Sequence, residues 1–116
     1  MFIRLIPQVF YADISVGIDL FVECLGFQVL HQDDTLVIVE RDGAKAYLVQ
    51  DAEFAAKDRP ELAIETDSIE DVYEEVCNKA PKLLYPNGKA VERKPWGALE
   101  FAIRDSTDVC IIFRQW

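Results

Sequence analysis

Stretches with β-rich, alternating apolar residues are interrupted twice along this chain by a helical pattern. Ile3 to Tyr11 reads as a strand and ends at Asp13, a natural N-cap for a helix carrying Ile14, Ile18, Phe21, Val22 and Leu25 at spacings of three and four. Gly26 supplies the stop. Three strands follow, Phe27 to His31, Leu36 to Glu40 and Ala44 to Gln50, separated by Asp33-Asp34 and by Arg41-Asp42-Gly43, both turn-forming. Asp51 to Pro60 reads as a charged, Ala-rich connection. The opening theme then returns: a strand over Glu61 to Thr66, a cap at Asp67 or Ser68, and a helix. That helix puts Ile69, Val72, Tyr73 and Val76 on one face and Glu70, Asp71, Glu74 and Glu75 on the other. Four further strand readings are Lys82 to Tyr85, Ala90 to Lys94, Gly97 to Arg104 and Val109 to Arg114, with turns at Pro86-Asn87-Gly88-Lys89 and Asp105-Ser106-Thr107-Asp108.

Both halves thus have the order strand, helix, strands. Asp13 aligns with Ser68 at an offset of 55 positions, close to half of the 116 residues. The expected architecture is α+β: one domain, 1–116, made of two βαβββ repeats at about 1–54 and 58–116. A helix packed on one face of each curved mixed sheet leaves the other face free to form a concave cup for a ligand.

Charge narrows the class of partner. Twelve basic residues against 21 acidic ones give a net charge of -9, which opposes nucleic-acid phosphates and favours cations. The longest apolar stretches are of strand length, and Met1-Phe2-Ile3-Arg4 lacks the pattern of a signal peptide, so neither a membrane partner nor export is expected. Cys24, Cys77 and Cys110 are odd in number and set in apolar contexts, as in a reduced, cytoplasmic protein. Ser15 and Ser68 occupy capping positions and Cys110 has no basic neighbour in sequence, so no nucleophile stands out.

Several short motifs, in order, carry a family resemblance: Ile6-Pro7-Gln8-Val9 with Asp13, Leu25-Gly26-Phe27, Arg41-Asp42, Tyr73, Pro95-Trp96-Gly97, Glu100-Phe101-Ala102 and Arg104-Asp105. The chain resembles the vicinal oxygen chelate superfamily of glyoxalases, dioxygenases and bleomycin-resistance proteins, and within it the drug-binding resistance proteins. The resemblance implies a homodimer with ligand clefts on the concave faces. It also locates the positions that hold a metal in catalytic members. They fall here on Ile6, Glu61 and Ile112, with a fourth in the neighbourhood of Tyr47, Val49 and Asp51, while His31 lies where no ligand is kept. Two isoleucines cannot coordinate, so no metal and no other cofactor is expected.

Carrying over the cup-facing phase fixes the faces of the strands, because side chains alternate. The cup then has Phe10, Leu36, Ile38, Tyr47 and Val49 as apolar and aromatic walls, Ala63 on its floor, and the carboxylates Glu61, Glu65 and Glu100, with Glu40 at the rim. Trp96 matches the segment that sets an indole against the drug. The opposite phase, with Val9, Val37, Val39, Leu48, Leu62, Ile64, Phe101, Ile103, Ile111 and Phe113, is apolar and suits a core. Ala63 and Glu65 stand where bleomycin binders carry tryptophans, which makes this stacking wall thinner and more acidic. The expectation is a metal-free, homodimeric protein that sequesters a cationic or amphipathic small molecule, as in resistance to a bleomycin-like antibiotic. The alternative is a lyase, isomerase or dioxygenase of the same superfamily with an atypical or absent metal site, using Glu61 or Glu65 as a general base.

Overall fold

A computed structural model describes residues 1–85 and 90–116, so the turn expected at Pro86 to Lys89 lies outside the described residues. The chain divides into two compact units, Met1–Asp58 and Arg59–Trp116. In the first unit the order is β1 (Gln8–Tyr11), α1 (Ile14–Ile18), one π-helical segment (Asp19–Cys24), β2 (Gln28–Gln32), β3 (Leu36–Arg41), β4 (Ala44–Gln50) and α2 (Ala52–Lys57). The second has β5 (Glu61–Glu65), α3 (Ile69–Lys79), a 3-10 turn (Pro81–Leu83), β6 (Glu92–Arg93), β7 (Leu99–Arg104) and β8 (Cys110–Gln115).

Each unit builds a four-stranded mixed sheet in the same order, β1-β4-β3-β2 and β5-β8-β7-β6. The first strand of each runs parallel to the last, and the other pairs are antiparallel. A parallel pair needs a crossover, which the helix following the first strand provides. The units also share a capping device. Ile14 N–H donates to Gln50 Oε1 at 3.0 Å, and Ile69 N–H donates to Gln115 Oε1 at 2.8 Å. In each unit the glutamine that ends the last strand satisfies an otherwise orphaned amide at the start of the helix.

The predicted core phase is buried in the first unit, where Val9, Val37, Val39 and Leu48 are fully enclosed. In the second, Ile103 and Ile111 are fully buried, and Phe101 stacks on Phe113 at 5.0 Å while meeting Tyr73 of α3 edge-on at 5.2 Å. Leu62 and Ile64 are only half-buried. Asp13 caps α1 as predicted, its carboxylate accepting from Ser15 N–H at 3.0 Å. Asp42 and Gly43, both at positive φ, make the tight β3–β4 turn expected of Arg41-Asp42-Gly43.

Several elements differ from the sequence reading. The first strand begins at Gln8, not Ile3; Pro7 has no N–H for the ladder, and its carbonyl closes the pairing by accepting from Tyr47 N–H. The first helix widens to a π turn from Asp19, which turns Leu20, Phe21 and Cys24 inward and leaves Ile14, Ile18 and Val22 half-buried. The supposed connection after β4 holds α2, whose N-cap Asp51 accepts from Phe54 N–H. Lys82 to Tyr85 is not a strand: Pro81 starts a 3-10 turn, and a single bridge joins Leu84 to Ile103. No helix among the described residues is long and apolar enough to cross a membrane.

Candidate functional site

The ten predicted site residues separate by unit, and within each unit those on strands share a sheet face; Trp96 alone of the ten lies in a turn. In the first unit Tyr47 stands between Gln8 and Ile38, and Val49 between Phe10 and Leu36, in adjacent cross-strand rows. Phe10, Leu36, Ile38, Tyr47 and Val49 are all half-buried. Phe10 has an aromatic partner that the sequence reading missed: Phe54 of α2 stacks on it at 5.1 Å and is itself covered by the Lys57 ammonium at 4.6 Å. At the edge of this face Glu40 meets Arg4 at 3.7 Å and Lys45 at 4.0 Å.

In the second unit the pairing of β5, β8 and β7 sets three rows on the face opposite the core. Glu65, Arg114 and Glu100 form one row, with Glu92 of β6 beyond Glu100. Ala63, Ile112 and Ala102 form the next, and Glu61, Cys110 and Arg104 the third. Small and apolar side chains therefore lie between two charged rows. A cavity of about 220 Å³ opens over Ala102 and Ile112, bordered by Tyr85, Ala90, Glu92, Lys94 and Glu100.

The carboxylates of this face differ in their surroundings. Glu100 is buried, and its Oε2 accepts from Trp96 Nε1 and from Arg114 Nε, both at 2.7 Å. Burial pushes its carboxyl up, but the Arg114 and Trp96 hydrogen bonds, with the charges of Arg114 and Lys94, outweigh this and hold it below the usual range. Glu100 is thus fixed as an internal anion. Glu65 is exposed and accepts from Trp116 Nε1 at 2.6 Å. Glu61 is exposed, and no hydrogen bond or ion pair engages it among the described residues. Lys94 pairs with Glu92 at 3.9 Å.

Trp96 sits in the β6–β7 hairpin, where Gly97 at positive φ permits the turn and donates its N–H to the Lys94 carbonyl at 2.9 Å. The indole is 57% exposed although its N–H is pinned. Arg114 and Trp116 were absent from the sequence reading of the site. Arg114 lies centrally in its row, and its guanidinium carbon is 6.0 Å from the centre of the exposed Trp116 ring. At the far row Tyr85 OH donates to Cys110 Sγ at 3.4 Å, and the Arg104 guanidinium covers the Tyr85 ring at 4.8 Å. The hydrogen bond to Cys110, followed by burial, raises the Tyr85 phenol to about 12, so it stays protonated at neutral pH.

Of the positions that the resemblance assigns to a metal, two hold Ile6 and Ile112, whose side chains offer no donor atom, and no group of three or more His, Cys, Asp or Glu among the described residues is placed to hold a metal ion. His31 is exposed on β2 with its Nε2 2.8 Å from Asp33 Oδ2. That contact, together with the Thr35 and Leu36 amides, lowers the Asp33 carboxyl to about 2.

No family model matches the sequence, and no curated protein matches it. Solved structures do. A bleomycin resistance determinant encoded on the transposon Tn5 superposes with a TM-score of 0.79 at 17% identity, over 98% of each chain. The bleomycin-binding protein of Streptomyces verticillus, solved with copper(II)-bleomycin, gives 0.77 at 21% identity, over 97% of this chain and 95% of that one. A lactoylglutathione lyase from Agrobacterium tumefaciens gives 0.74 at 12% identity, over 97% and 92%. The chain has the glyoxalase/bleomycin-resistance fold. That fold serves both binders and enzymes, so the activity has to be argued from the site.

Proposed function

We propose that this chain is a metal-free, homodimeric binding protein that sequesters a flat cationic or amphipathic small molecule, such as an antibiotic of the bleomycin kind. The observation that carries the reading is the sheet face of the second unit: a small apolar row beside a cavity, the exposed indole of Trp96 bonded to Glu100 at the cavity's border, and on the adjoining row the carboxylate of Glu61, which has no partner among the described residues. An indole attracts a flat cation by stacking and by its quadrupole, with about 0.5–2 kcal/mol from the cation-π part. Glu61 supplies the opposite charge, and the overall charge of -9 draws cations toward the protein. Structural similarity to bleomycin-binding proteins supports the ligand class. The exposed apolar arm at Phe2, Ile3 and Leu5 supports association with a second copy.

Calorimetric titration with bleomycin and with 2-naphthylmethylammonium tests this. Saturable binding is expected, weakened about threefold to tenfold by Glu61→Gln or Trp96→Ala and reduced by salt. Binding of neither compound, or affinities unchanged in both variants, refutes the reading.

A further inference from the structure

The electrostatics of the Glu65–Arg114–Glu100 row constrain what the ligand carries besides its charge. Arg114 uses Nε to reach Glu100 Oε2 at 2.7 Å. Its two terminal nitrogens make no hydrogen bond among the described residues, although the side chain is only 26% exposed. No buried side-chain nitrogen or oxygen among the described residues lacks a partner, so these two nitrogens are not sealed from solvent, and Arg114 lies on the sheet face opposite the core. They form a planar fork of donors, held in place from behind by a buried carboxylate. Trp96 also bonds Glu100, and the exposed Trp116 ring stands beside the guanidinium, so aromatic surface flanks the fork.

An acceptor of this fork has to sit among acids. Glu65 and Glu100 are the direct cross-strand neighbours of Arg114, and Glu92 is the neighbour of Glu100. With Arg114 and Lys94 counted against these three carboxylates, the row is negative by one charge. A ligand carboxylate would crowd a further anion against Glu65 and Glu100. A neutral carbonyl takes the same charge-assisted hydrogen bonds without that repulsion.

We propose that Arg114 is a specificity-determining donor that selects a flat compound bearing a neutral amide or ketone carbonyl at one end. The carbonyl accepts from the terminal nitrogens of Arg114, the ring lies over the Ala63–Ile112–Ala102 row, and the cationic group reaches toward Glu61. This deepens the cation-binding reading and rests on it for the cationic end only. It assigns Glu100 as a positioning residue, which aims Trp96 and Arg114 and does not touch the ligand.

The test compares three compounds on one skeleton by calorimetry, with the indole N–H and Arg114 Nε–H resonances of nitrogen-15-labelled protein recorded in parallel. The compounds are 2-naphthylmethylammonium, 6-(aminomethyl)-2-naphthamide and 6-(aminomethyl)-2-naphthoate. The amide is expected to bind about tenfold more tightly than the parent amine, and the carboxylate no more tightly than the parent. The Arg114 Nε–H resonance shifts with the amide. Arg114→Lys keeps a charge beside Glu100 but removes the fork, so the ratio of amide to parent falls close to one. Equal binding of amide and parent, a carboxylate that binds best, or a ratio that survives Arg114→Lys overturns the proposal and leaves the cation reading standing. Binding of the amide when the parent amine does not bind supports Arg114 and refutes the cationic end. Failure of all three compounds refutes both.

Discussion

The indole N–H of Trp96 ends on Oε2 of Glu100, 2.7 Å away, the same oxygen that receives the Nε–H of Arg114 at 2.7 Å. One buried oxygen therefore holds both an exposed aromatic ring and a half-buried cation. Replacing the charge while keeping the shape isolates this role. Glu100→Gln keeps an acceptor but leaves Arg114 without its counter-ion, and the charged hydrogen bonds lose strength. We expect a loss of about 2 kcal/mol in urea unfolding, with a red shift of tryptophan emission as Trp96 loosens. An unchanged midpoint and spectrum would mean that the clamp contributes nothing.

The same carboxylate makes stability depend on pH. Its folded pKa is held below the ordinary value of 4.5, so its charged form is the one the fold stabilises. The contribution is fully present above the ordinary carboxylate range and is lost as pH falls through the depressed folded value. The difference in unfolding free energy between the parent chain and Glu100→Gln is therefore expected to be constant from pH 8 to about pH 6 and to shrink below about pH 4. A difference that widens on acidification would reverse the sign and contradict the assignment. Asp33, lowered to about 2, lies on the surface of the other unit beside His31 and is present in both proteins, so it cancels in the comparison.

Much of the fold was legible because its signals are local. Alternation gave the buried phase around Val37, Val39, Ile103 and Ile111, and Asp13 and Asp42-Gly43 announced a cap and a turn. The capping of Ile14 by Gln50 and of Ile69 by Gln115 was not legible, since it links residues 36 and 46 positions apart through the end of a paired strand. The site divides the same way. The shared faces of Glu61, Ala63 and Glu65, and of Tyr47 and Val49, follow from period two. That Glu100 meets Arg114 depends on the β7–β8 register, and that Trp116 bonds Glu65 depends on where the chain goes after β8. Helix α2 did carry a signal, Asp51 followed by an Ala-rich stretch, but its six residues are too few for periodicity to speak.

Gly17 offers a prediction in which two effects compete. It lies inside α1, where alanine is favoured over glycine by about 1 kcal/mol. A Cβ at this position would stand 2.5 Å from Cε2 and 2.8 Å from Cδ2 of Tyr11, a ring that is fully buried, so it could move only by displacing its neighbours. Overpacking of this kind costs about 1–3 kcal/mol, more than the helix gains. Gly17→Ala is expected to lower the melting temperature by several degrees. A rise in melting temperature would show that Tyr11 yields.

The amino-terminal arm carries the last prediction. Phe2, Ile3 and Leu5 are 103%, 92% and 96% exposed, and the arm precedes the first strand, with Pro7 closing the β1–β4 pairing. Arg4 reaches Glu40 at 3.7 Å, but an exposed pair of this length adds at most about 1 kcal/mol. Three large apolar side chains in water are unfavourable for a lone chain and are relieved if a second copy covers them. Phe2→Ser with Leu5→Ser is therefore expected to weaken self-association by about tenfold or more in sedimentation equilibrium, while leaving the far-ultraviolet circular dichroism unchanged, because β1 starts only at Gln8. A parent chain that sediments as a monomer at all concentrations sinks the dimer itself. A dimer that ignores the two substitutions would place its interface elsewhere, and the exposed β2 edge with Val29 and Leu30 would be the next surface to substitute.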